Sequence, residues 1–98
     1  MAPLVIVARI TPKPQHREDA RQAILDILPQ TRAEAGCAQF DLCDSEGEDG
    51  ALYLVERWAD DAALSAHYAQ PYVQRVFKAY DGWLAHPPEI TRLRPVED

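Results

Sequence analysis

Glu56, Trp58 and His67 bring a carboxylate, an indole and an imidazole close together in the chain. The first two stand in Tyr53-Leu54-Val55-Glu56-Arg57-Trp58, the third in Leu64-Ser65-Ala66-His67. Residues two apart on a strand project to the same face, so Glu56 and Trp58 share one. His67 lies on the helix that follows, flanked at helical spacing by Leu64 and Tyr68, which puts it at or beside the apolar face. Histidine is the residue type suited to taking a proton from a phenol or enol at neutral pH. The competing reading is a histidine bonded to a backbone carbonyl that holds the helix on the sheet. His16 and His86 sit in polar or proline-rich surroundings and read as surface residues. Glu56 reads as the partner of a buried indole N–H, as half of a salt bridge with a nearby arginine, or as a pocket acid whose pKa rises if it is buried alone. Trp58 reads as core or pocket wall. Tyr68, Tyr72 and Phe77, with Tyr80 and Phe40, supply walls for a flat aromatic ligand, and a small core wants the same bulk. Phe40 reads as core. Tyr72, just past Pro71, is placed at a pocket mouth.

The elements that must position these residues follow from periodicity and punctuation. Leu4 to Ile10 is an apolar, β-branched run closed by Pro12 and Pro14, a strand buried on both faces or nearly so. Gln15 to Ala35 reads as a helix with Ala20, Ile24, Ile27, Leu28 and Thr31 on one stripe. Pro29 inside it should kink or divide it, and Gly36 is a C-terminal stop. Cys37 to Asp44 alternates, with Ala38, Phe40 and Leu42 on one face and Gln39 and Asp41 on the other. Glu46-Gly47-Glu48-Asp49-Gly50 is a polar turn, and Ala51 to Trp58 closes an antiparallel hairpin. Asp60 or Asp61 caps a helix through about Ala69. Pro71 starts another, which Gly82 ends near Trp83-Leu84. After Pro87-Pro88, Glu89 to Arg94 is the last strand.

The order β-α-β-β-α-β specifies an α+β, ferredoxin-like fold: one four-stranded antiparallel sheet with its helices on one face. By parity, Leu52, Leu54, Glu56 and Trp58 share one face of the third strand, and Ala51, Tyr53, Val55 and Arg57 the other. Both faces carry apolar bulk. One packs on the helices and the other on a partner sheet, so a homodimer joined face to face is expected.

The 98 residues suffice for one domain, residues 1–98, and 47% of them are hydrophobic. A formal net charge of -6 with no basic cluster, Arg92 and Arg94 being the closest arginine pair, argues against nucleic acid and anionic membranes as partners. No segment is long enough to cross a bilayer, and Leu4 to Ala8 is too short for a signal core. Cys37 and Cys43 lie on one strand roughly 20 Å apart, beyond disulfide reach. They are therefore free thiols or intermolecular ones, and free thiols suit the cytoplasm. Neither cysteine has a Cys or His at metal-ligand spacing, so no metal is expected.

Arg32-Ala33-Glu34-Ala35-Gly36-Cys37, Tyr53-Leu54-Val55-Glu56-Arg57-Trp58 and Leu64-Ser65-Ala66-His67, at this spacing, resemble the antibiotic biosynthesis monooxygenase (ABM) family of dimeric α/β-barrel proteins, which includes quinol monooxygenases. The resemblance covers nearly the whole chain. It implies a small homodimer that oxidises a quinol, anthrone or related phenol with dioxygen and without a cofactor. His67 would be the catalytic base, with Glu56, Trp58, Tyr68, Tyr72 and Phe77 binding the substrate. No G-x-G-x-x-G or G-K-[ST] motif is present. Haem-degrading relatives use an asparagine on the first strand and a histidine on the helix after the tryptophan. The corresponding positions, Ala8 or Arg9 and Arg75 to Phe77, hold neither, so haem ligation is not expected. Many members also carry His-Phe after the proline that opens the later helix, where this chain has Tyr72-Val73. Two other functions stay open: a non-catalytic dimer that binds a small metabolite or serves a stress response, and a non-oxidative isomerase or lyase on the same scaffold.

Overall fold

Alternation along two central strands decides which face of the sheet is covered. The computed structural model describes residues 3–47 and 49–97. In it β1 (Leu4–Ile10) and β3 (Leu52–Trp58) bury every second residue. They pair antiparallel, with Ile6 opposite Glu56 and Ala8 opposite Leu54. β2 (Cys37–Asp44) and β4 (Glu89–Leu93) flank them in the order β2-β3-β1-β4. The helices α1 (Arg17–Arg32), α2 (Asp61–Tyr68) and α3 (Pro71–Trp83) follow β1 and β3 in the chain, so the fold is the ferredoxin-like α+β arrangement. Ile6, Ile10, Leu52 and Trp58 from the sheet pack with Ala20, Ile24, Leu64, Val76 and Tyr80 from the helices as one core. None of the described helices is long and apolar enough to cross a membrane.

Three local expectations are corrected. The first helix is shorter than Gln15 to Ala35: Pro14–His16 form a 3-10 turn before α1, and residues 33–36 form a turn after it. Pro29 does not divide α1, which runs on to Arg32. Only the bond from residue 29 to the Leu25 carbonyl is forfeited. A bulge between Cys37 and Gln39 sets two residues of β2 against one of β3. Cys37 therefore shares the inner face with Phe40, and Ala38 is exposed. α3 ends at Trp83 with Leu84 as its C-cap, where the sequence places the end, and Gly82 lies inside its last turn. In the hairpin loop, Gly50 takes a φ of 70° and Asp49 Oδ1 accepts from the Ala51 N–H at 3.0 Å. Glu48, expected in this turn, lies outside the described residues.

Gly36 is required for a reason other than helix termination. Among the described glycines only Gly50 has a positive φ. A Cβ at Gly36 would instead overlap the Cβ of Ala63 on α2. The Gly36 carbonyl also accepts the Ala59 N–H at 2.8 Å, tying the end of β3 to this turn. Gly36→Ala should therefore push α2 off its seat and cost about 1–3 kcal/mol, roughly 5–15 °C in melting temperature for a domain of this size. Adding Ala63→Gly should recover part of the loss, read as coupling in a double-mutant cycle. Additive effects of the two changes would show that this contact is not tight.

Candidate active site

The step of two along β3 turns Glu56 and Trp58 inward together, under the helices. The chain then reverses at once. Asp60 caps α2, its Oδ1 accepting from the Ala63 N–H at 2.9 Å. The cap and the seat on Gly36 fix where the first turn of α2 begins. One face of the helix then carries Leu64 and His67 inward. His67 is 3% exposed. Its ring lies 4.7 Å from that of Trp58, tilted by 39°, and 5.5 Å from that of Phe40.

Two carboxylates hold the two rings. The Trp58 Nε1–H donates to Glu56 Oε1 at 2.9 Å, the first of the roles expected for Glu56. Glu56 is 4% exposed. Burial pushes its carboxyl from the usual 4.5 up to about 7, against the pull of the indole N–H toward the ionised form. The site therefore holds a carboxyl able to exchange a proton near neutral pH. The second carboxylate is Glu34, in the turn after α1. Its Oε2 lies 2.9 Å from His67 Nδ1 and accepts the hydroxyl of Tyr72 from α3. His67 thus meets a carboxylate, not a backbone carbonyl. Its Nε2 has no hydrogen-bond partner among the described residues.

The other expected site residues divide into two groups. Tyr68 and Phe77 continue outward from His67 as a ladder of rings: His67 to Tyr68 is 5.8 Å, Tyr68 to Phe77 5.7 Å, and Phe77 to Tyr80 6.1 Å. Burial first, and the nearby charge of Glu56 second, raise the phenol pKa values of Tyr68 and Tyr80. The ladder ends at a cavity of about 260 Å³ lined by Phe77, Tyr80, Leu84, His86, Pro87 and Pro88. Tyr72 lies elsewhere, against Glu34, and lines a separate groove of about 320 Å³ between α1 and α3 with Gln30, Arg75 and Trp83. It therefore meets the site through Glu34. No three His, Cys, Asp or Glu side chains among the described residues are grouped to hold a metal ion. Both cysteines are unpaired; burial, and after it the charge of Glu34, raise the pKa of the Cys37 thiol.

Glu34 is the residue that sequence reasoning missed as a functional group. Its signal was present: it belongs to the Glu34-Ala35-Gly36-Cys37 block. Nothing local, however, pairs it with His67.

A ferredoxin-like sheet with an inward Glu-Trp pair, covered by a helix whose histidine rests on the indole, defines a small α+β site. The family model described as antibiotic biosynthesis monooxygenase matches residues 3–79. The protein Rv0793 of Mycobacterium tuberculosis, named a putative monooxygenase, is 31% identical over 97 residues, 99% of this chain and 95% of that one. YcnE of Bacillus subtilis, also named a putative monooxygenase, is 30% identical over 89 residues, 91% of this chain and 94% of that one. The structure of Rv0793 superposes with a TM-score of 0.93, covering 99% of this chain and 98% of that one. The crystal structure of PA3566 from Pseudomonas aeruginosa superposes with a TM-score of 0.91 at 31% identity, covering 99% of this chain and 97% of that one. The chain belongs to the antibiotic biosynthesis monooxygenase family.

Proposed function

We propose that the protein is a monooxygenase that oxidises a quinol, anthrone or related electron-rich phenol with dioxygen, without flavin, haem or metal. The observation that carries this reading is His67 buried on Trp58, with a carboxylate on Nδ1 and Nε2 open. A substrate hydroxyl placed at Nε2 gives up its proton there, and the resulting anion is electron-rich enough to reduce dioxygen itself, one oxygen atom entering the substrate and the other leaving as water with two of the substrate's hydrogens. The protein supplies the base, a dry aromatic enclosure and orientation. Glu56, Trp58, Tyr68 and Phe77 form the enclosure, and Tyr72 braces the base through Glu34. Oxygen uptake by chelator-treated protein with a panel of hydroquinones and anthrones tests the reading. Consumption of oxygen matched to oxidised product is expected. Binding of the panel without turnover would select the metabolite-binding alternative, and product formed without oxygen uptake an isomerase or lyase.

We also propose a cytoplasmic homodimer. The two unpaired thiols support the compartment. The sheet face away from the helices supports the dimer: Val5, Val7 and Val55 are only half-buried there, and Leu93, opposite Val5, is 45% exposed. At one end of this face Arg9 donates to Tyr53 Oη at 3.1 Å and Glu89 at 2.9 Å, and beyond that cluster Val5, Val7, Val55 and Leu93 form an apolar patch edged by Arg57, Asp41 and Thr91. Sedimentation at micromolar concentration should give a mass near twice 11.0 kDa. Val55→Asp should halve that mass and lower the melting temperature together. A parent protein that sediments as a monomer would overturn the assembly.

A further inference from the structure

A histidine accepts a substrate proton at Nε2 only if its own resting proton sits on Nδ1. That nitrogen faces Glu34 Oε2 at 2.9 Å, and an ionised carboxylate accepts hydrogen bonds but cannot donate them. The same oxygen accepts the Tyr72 hydroxyl. Burial, and then this bond, push the Tyr72 phenol up to about 12, so Tyr72 stays protonated and donates. The backbone of Glu34 is pinned on both sides. Its N–H donates to the Thr31 carbonyl at 3.1 Å, and its carbonyl accepts the Cys37 N–H at 3.0 Å. The Glu34 side chain is only 13% exposed. Three separate pieces of the fold thus converge on one oxygen: the turn after α1, the last turn of α2 and the first turn of α3.

From this convergence we propose that Glu34 is the positioning residue of the site: it holds His67 as the Nδ1–H tautomer, leaves Nε2 as the open acceptor, and is itself held by the Tyr72 hydroxyl. The inference deepens the proposed function, and its kinetic consequence rests on that reading; the tautomer does not. A histidine in water favours the Nε2–H form, so without Glu34 the proton should move to the nitrogen that has to be free. The ring would keep its place against Trp58 and lose its use as a base.

Nitrogen-15 NMR of the imidazoles in the full chain at pH 7.5 tests this without any substrate. His67 should show a protonated Nδ1 and an unprotonated Nε2. The opposite assignment, or an imidazolium carrying both protons, would overturn the proposal. In Glu34→Ala the Nε2–H form should become the major one. Glu34→Gln keeps the size of the side chain should alanine disturb the turn. Its carboxamide can turn an N–H toward Nδ1, so the Nε2–H form should gain there too. A folded variant of either kind with the parent's tautomer ratio would also overturn the proposal. Tyr72→Phe leaves the carboxylate in place and should keep the Nδ1–H form with a broader resonance. In quinol oxidation, both Glu34 variants should lower kcat about 10–100-fold with KM within about twofold. If the parent shows the expected tautomer and the variants shift it, yet no quinol is oxidised by any of them, the proposed reaction fails and the positioning role of Glu34 stands.

Discussion

Replacing His67 by glutamine should lower the turnover of quinol oxidation at least about 100-fold, the lower bound for a positioned general base. The fold should survive. A glutamine N–H can still donate to Glu34 Oε2, where the imidazole now lies at 2.9 Å, and its methylenes still cover part of Trp58. The melting temperature should stay within about 5 °C of the parent, the shift expected for roughly 1 kcal/mol in a domain of this length. His67→Ala is the harsher change. It opens a void against Trp58 and Phe40 and strips Glu34 of its partner, so activity and stability should fall together. Turnover by the glutamine variant equal to that of the parent would show that the base lies elsewhere. Glu56, whose carboxyl sits close to neutrality, would then be the residue to change.

Glu56→Gln should stabilise the protein above pH 7 and leave it nearly unchanged below about pH 4.5. Burial raises the folded-state pKa of Glu56 from 4.5 to about 7, so the fold favours the protonated acid. Below pH 4.5 the carboxyl is protonated in both the folded and the unfolded chain, and its contribution is intact. As pH rises toward 7 the unfolded chain ionises freely and the folded one does not, and stability drains away through that window. Above pH 7 the full difference is lost, about 3 kcal/mol at 1.36 kcal/mol per pH unit. Glutamine does not titrate, and its amide oxygen can still accept the Trp58 N–H. Urea unfolding of both proteins at pH 4.5, 6 and 7.5 should give curves that diverge with rising pH, the parent falling below the variant. Parallel pH dependences would mean that Glu56 is solvated and that its carboxyl titrates like any surface acid.

Much of this fold is local and therefore readable in the chain. The alternation of Leu52, Leu54, Glu56 and Trp58 fixes their shared face through the pleat alone, and all four are buried. Asp60 announces α2 and Pro71 announces α3 within a few residues of each helix start. His67 falls inward because Leu64 precedes it by one helical step. Such features depend on backbone periodicity and on capping groups close in sequence.

The rest needed the packed molecule. Glu34 is 33 residues from His67 and 38 from Tyr72, and it meets them because Gly36 lets α2 settle on the turn after α1. The bulge between Cys37 and Gln39 turns Ala38 off the face it was expected to share with Phe40. No pattern of hydrophobicity announces it, because one extra residue in a strand costs little until the neighbouring strand fixes the register. Tyr72 reads in sequence as a pocket mouth and does line the groove between α1 and α3, but that its hydroxyl reaches Glu34 could not be read from the chain. The proton affinity of Glu56 is the clearest case. Its type and its face follow from β3 alone, but a pKa near 7 depends on how completely the helices above the sheet exclude water from it. Residue type and facing are set by near neighbours along the chain. Desolvation and the pairing of distant polar groups are set by whatever the fold brings over them.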